Sequence, residues 1–143
     1  MKIKPKIATL CFLIQDEKIL VGTKKYGPAN GIINGFGGKS HPDETPHDCV
    51  VREFAQETSA YLLDPQLKGL LMPSPQTHIY IFIATKYTGT IQESEEMTNQ
   101  WINIKDLPYD KMWPNDKKWF SYMFGPQMFI YKDNSVKFVN KIL

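Results

Sequence analysis

The chain has 143 residues, 42% of them apolar and 13% aromatic, with a formal net charge of only +2. That length suits one domain, residues 1–143, with a single core, and the composition excludes a disordered or fibrous chain. So small an excess of Lys and Arg supplies neither a basic track for nucleic acid nor a patch for an acidic membrane surface.

From the N-terminus, residues 7–14 (IATLCFLI) and 18–23 (KILVGT) read as strands, with Gln15-Asp16-Glu17 turning between them. The first run is too short to span a bilayer, and no small-residue cleavage site follows it. Cys11 and Cys49 have neither a CxxC partner nor a Cys/His set at zinc spacing. We expect reduced thiols in a soluble cytoplasmic protein, although two cysteines leave one disulfide open. Glycines and Pro28 interrupt regular structure through 26–38.

A helix is predicted from Thr45-Pro46-His47-Asp48 to about Ser59, with Thr45 as its cap and Pro46 at the first helical position. Residues 66–73, 78–85 and 99–104 read as strands. A second helix is predicted after Pro114-Asn115-Asp116, with Trp119, Phe120, Met123 and Phe124 on its apolar side. Residues 128–139 (MFIYKDNSVKFV) should form a hairpin turning at Asp133-Asn134. Strands mixed with two helices imply an α+β fold, a sheet covered by helices.

The helix at 46–58 carries two kinds of side. At 100° per residue Val50, Val51 and Phe54 share one, while Glu53, Gln56 and Glu57 share another. Like charges at i and i+4 repel, so on their own two glutamates suggest only a solvated face. Asn34-Gly35-Phe36-Gly37-Gly38-Lys39, upstream, changes that reading. Three glycines in four residues are costly unless the backbone needs unusual torsions or close approach. An irregular glycine loop feeding an acid-lined helix suits a hard cation and a polyphosphate.

Gly38, five residues, Glu44, seven residues, Arg52-Glu53-Phe54 and then Glu57 resemble the signature box of the Nudix hydrolase family. The resemblance implies an α/β/α sandwich with a mixed central sheet and hydrolysis of nucleoside diphosphate linkages by water with Mg²⁺, or Mn²⁺. It makes Gly38, Glu53, Gln56 and Glu57 the metal set, to which the likeness of ESEEM at 93–97 to the MutT-homologue branch adds Glu96, with Glu57 or Glu96 as base. Arg52 braces the helix and Glu44 the loop. Gln56 stands where the family has a glutamate; its amide brings no charge and cannot act as a base, which weakens one metal position. Ser59 replaces the closing glycine.

NGFGGK at 34–39, ESEEM at 93–97 and MWPND at 112–116 further resemble the MutT-homologue branch of that family, enzymes acting on oxidised purine nucleoside triphosphates. This likeness implies a substrate site of Asn34, Trp113, Asn115 and Asp116, with Thr9 and Lys24 added to it. The duller readings are a core tryptophan at 113, a helix cap at 114–116 and a solvated acidic run at 93–96. Asn115 replaces an aspartate of the vertebrate enzymes, Pro28 and Ile33 replace aromatic residues, and residues 71–78 bear little likeness to them.

Asn115 bears on base choice. Guanine N7 is an acceptor, and oxidation at C8 makes it a donor. The Asn115 amide oxygen can then accept from N7–H while its NH₂ donates to O6. Unmodified guanine would leave a buried acceptor unpaired, at about 1–3 kcal/mol or roughly 5- to 150-fold. The expected reaction is thus conversion of 8-oxo-dGTP to monophosphate and pyrophosphate by a monomer, with 8-oxoguanine preferred to 2-hydroxyadenine. Two other readings stand beside it: pyrophosphate removal from RNA 5′-triphosphate ends, and a nucleotide-binding sensor that hydrolyses little.

Overall fold

The structure, a computed structural model, describes residues 4–143. Strand β1 (Lys6–Gln15) turns through Asp16, at a φ of 56°, into β2 (Lys18–Thr23). The two-residue strand β3 (Ile33–Asn34) follows, then helix α1 (Pro46–Thr58). Next come β4 (Tyr61–Leu63), β5 (Gln66–Ser74), β6 (Thr77–Ala84), β7 (Lys86–Thr88) and β8 (Gln100–Asn103). The short helix α2 (Asp116–Trp119) and the hairpin of β9 (Met128–Lys132) and β10 (Ser135–Val139) complete the chain.

The main sheet has eight strands, ordered β10-β9-β5-β6-β1-β2-β3, with β8 also pairing β2. It is mixed: β1 runs parallel to β6 and β5 parallel to β9, while the other pairings are antiparallel. Period-two alternation assigns its two faces. Cys11, Leu13, Leu20, Tyr80 and Phe82 point toward α1 and meet its buried Val50 and Phe54. Phe12, Ile19, Val21, Ile81 and Phe129 point the other way, against Met112, Trp119, Phe120 and Met123. Helical segments on both faces give the expected α/β/α sandwich.

Helix α1 keeps the predicted bounds for local reasons. Thr45 Oγ1 accepts from the Asp48 N–H at 3.1 Å, Pro46 opens the first turn, and Ser59 closes the last in a left-handed conformation. The second helix departs from its prediction. It is α-helical only over Asp116–Trp119 and continues as a 3-10 helix over Phe120–Phe124, stopping at Gly125-Pro126. Phe120 and Met123, three residues apart, are both buried, a spacing that the three-residue turn superimposes. The predicted hairpin turns at Asp133-Asn134, both with positive φ, as two-residue hairpin loops demand. Strand β3 and the separate β4–β7 ribbon were not predicted. Among the described residues no helix is long and apolar enough to cross a membrane.

Candidate active site

The glycine loop is bound along the edge of β1. Thr9 N–H donates to Gly38 O at 2.9 Å, and Cys11 and Phe36 exchange backbone bonds at 2.6 and 3.0 Å. Closeness is what glycine supplies there. A Cβ on Gly37 would lie 1.9 Å from the Thr9 carbonyl oxygen, and one on Gly35 would lie 2.6 Å from that of Cys11. At Gly38 a Cβ would meet the Glu53 carboxylate at 2.6 Å, so the bare backbone leaves that acid room against the loop.

Arg52 locks loop to helix. Its Nε and Nη2 donate to Glu44 at 2.7 and 2.9 Å, its Nη2 to Lys39 O at 3.1 Å, and its Nη1 to Glu53 at 3.0 Å and Gln56 at 3.2 Å. The guanidinium holds the Glu44 carboxyl down at about 2. Glu57 is not on a solvated face: it is 3% exposed and accepts the Gly37 N–H at 2.8 Å. Burial first, and then the charge of Glu53, push its carboxyl up to about 8, with Glu96 adding to the rise and Lys24 opposing it.

This donor set suits a hard divalent cation. Carboxylate oxygens are what such ions take, and the crowded charge on Glu57 is what a cation offsets. Other parts of the expected metal set have other partners. Gly38 O is already engaged by Thr9, the exposed Gln56 turns its amide oxygen to Arg52, and the exposed Glu96 faces Lys24 Nζ at 3.9 Å. Among the described residues no three His, Cys, Asp or Glu side chains close into one group.

Two cavities open beside the loop. One of 140 Å³ is lined by Lys24, Asn34, Gly37, Glu57 and Trp113; the other, of 280 Å³, by Asn34, Trp113, Asn115, Asp116 and Trp119. Leu10, Asn34 and Trp113 belong to both. Trp113 is 45% exposed, whereas Trp119 is the core tryptophan. Asn34 Oδ1 accepts the Gly35 N–H at 2.8 Å, which commits its oxygen and leaves its NH₂ to donate. Among the described residues the Asn115 side chain makes no capping bond. The buried Asp116 instead accepts the Trp113 N–H at 3.1 Å, and burial lifts its carboxyl to about 6.

The structure thus gathers Lys24, Asn34, Trp113, Asn115, Asp116 and Glu57 around two adjoining cavities, but not Thr9. Strand parity turns the Thr9 side chain toward α1, where its hydroxyl meets Cys49 Sγ at 3.3 Å, while its neighbour Leu10 lines the cavities. Gly35 and Gly37, rather than Gly38, are the loop glycines lining the cavity with Glu57. Leu71, Ile79 and Tyr131 also line the larger cavity. They come from three strands, and sequence spacing gave no signal for them.

A mixed sheet carrying an inward-turned acidic helix braced to a glycine loop defines the class, and sequence comparison agrees. The family model described as NUDIX domain matches residues 4–123, and the chain belongs to the Nudix hydrolase family. It is 33% identical over 129 residues to the oxidized purine nucleoside triphosphate hydrolase of Mus musculus, covering 87% of this chain and 83% of that protein. To the protein of the same name from Danio rerio it is 34% identical over 131 residues, with the same shares covered. The fold is shared with the MutT protein of Bacillus halodurans, at a TM-score of 0.74 and 21% identity over 96% of this chain and 99% of that one.

Proposed function

We propose that the protein hydrolyses an oxidised purine nucleoside triphosphate, with 8-oxo-dGTP as the preferred substrate, to the nucleoside monophosphate and pyrophosphate. The observation carrying this reading is the pair of cavities that share Leu10, Asn34 and Trp113, one lined by Glu57 and Lys24 and the other by Asn115 and Asp116. A nucleotide can lie across that shared wall with its phosphates at the acids and its base beyond Trp113. The relatives' names point to the same substrate class.

Glu53 and Glu57, with Glu96 swung from Lys24, would hold Mg²⁺ or Mn²⁺, which when bound neutralises phosphate charge and orients water. The residues of the chain do the rest. Lys24 offers its ammonium to a phosphate oxygen. Arg52 fixes the helix that presents the acids, and Glu57 or Glu96 takes a proton from the attacking water. Trp113 presents an indole face for stacking. Asn34 donates through its NH₂, Asn115 accepts from the N7–H that only the oxidised base carries, and Asp116 accepts from N1–H and the 2-amino group.

The test is pyrophosphate release from a panel containing 8-oxo-dGTP, 2-hydroxy-dATP, dGTP and a short 5′-triphosphorylated RNA, each with Mg²⁺ and with Mn²⁺. The expected result is fastest turnover of 8-oxo-dGTP, with Glu57→Gln slower by about 10²-fold or more. Equal turnover of the two oxidised bases removes the Asn115 argument. Preference for the RNA, or tight nucleotide binding without pyrophosphate release, removes the assignment itself.

A further inference from the structure

The base-reading side chains of the larger cavity sit on or beside α2, a helix of one turn, and one turn does not hold its own geometry in water. Trp119 anchors it in the core, and a further tie comes from beyond residues 4–123, the segment that the family model matches. Asn134 occupies the turn between β9 and β10 at a φ of 60°. Its Oδ1 accepts from Lys118 Nζ at 3.1 Å and from the Tyr131 hydroxyl at 3.2 Å. Lys118 lies on α2, two residues after Asp116, and the nearly buried Tyr131 lines the same cavity as Asp116. One amide oxygen therefore joins a wall of the cavity to the helix that carries its acid.

The geometry points to Asn134 as a positioning residue for base selection, tying Tyr131 to Lys118 and so fixing how far the Tyr131 wall stands from Asp116. This rests on the purine nucleotide reading above. Hydrogen bonds weaken steeply as their angles open, whereas stacking on an indole tolerates small shifts. Slackness in α2 therefore harms discrimination between bases more than it harms binding as such. The phosphate end, held by α1 and β1, is untouched by it.

Asn134→Gly deletes the acceptor while keeping a residue suited to the left-handed turn. The expected result is a fall of about 2- to 10-fold in selectivity for 8-oxo-dGTP over dGTP, the range that loss of one hydrogen bond spans. It should act through KM for the oxidised nucleotide, with kcat nearly unchanged. Tyr131→Phe, which keeps the ring and loses the hydroxyl, should do the same. Lys118→Met should also lower selectivity, and Lys118→Arg should restore it. Unchanged selectivity in Asn134→Gly and Tyr131→Phe overturns the proposal, and so does an equal loss of kcat on both nucleotides, the mark of a merely structural turn. Binding of the two nucleotides, followed by tryptophan fluorescence, separates this failure from that of the underlying reading. A wild type that binds neither refutes the purine assignment, whereas variants that discriminate as well as wild type refute only the tether.

Discussion

At Asp116 a carboxyl lies inside a largely apolar cavity with a backbone N–H for company, and burial raises it from 3.8 to about 6. Two pH dependences of opposite sign follow. For folding, a raised carboxyl binds its proton more tightly in the native state, so its stabilisation is complete below the unfolded pKa and is lost as pH rises through about 6. For binding, only the ionised form accepts from both N1–H and the 2-amino group of a guanine, so KM for 8-oxo-dGTP should rise as pH falls below about 6. Both effects should vanish in Asp116→Asn. Thermal melts and initial rates of both proteins between pH 4.5 and 8 check this, and parallel profiles for the two would exclude the assignment. Gln56 is simpler. Its amide oxygen satisfies Arg52, so at this position the chain keeps the brace and gives up a charge.

The elements show how much such placement owes to local chemistry. Helix α1 was readable because its signals are contiguous: Thr45 and Pro46 start it, and Val50 and Phe54 set its buried side. Its end carries a measurable cost. Ser59 sits at a φ of 66°, where a Cβ crowds the following carbonyl by about 1 kcal/mol. Glycine has no such penalty, though it loses more chain entropy on folding. Ser59→Gly should thus stabilise the protein by about 0.5 kcal/mol, a rise of roughly 1–2 °C in Tm. A lowered Tm would show that the serine is not strained there. The second helix was readable only in part. The pattern of Trp119, Phe120 and Met123 marks a buried side but does not distinguish one helical turn and a 3-10 segment from a longer α-helix. Strands β3, β4 and β7 have two or three residues each, too few for alternation to register, and only their partners define them.

Across the whole molecule, the acids, the glycine loop and the base-side residues were visible in sequence as fixed spacings, while their facing was not. Thr9 failed to reach the cavity because one step of strand parity separates it from Leu10, and parity is set by the pairing of β1 with β6. Gly37 and Gly38 are neighbours in the chain, yet the loop's pairing with β1 gives one to the cavity and the other to Thr9. Leu71, Ile79 and Tyr131 meet only because β5 lies between β6 and β9 in the sheet. What unites these parts is the claim that one end of the cleft holds a divalent cation and a triphosphate and the other a base. Anomalous diffraction from crystals grown with Mn²⁺ and a non-hydrolysable purine triphosphate tests it directly. The account predicts manganese at the Glu53 and Glu57 carboxylates with the base against Trp113; manganese elsewhere, or a base outside the cavity of Asn115 and Asp116, would contradict it.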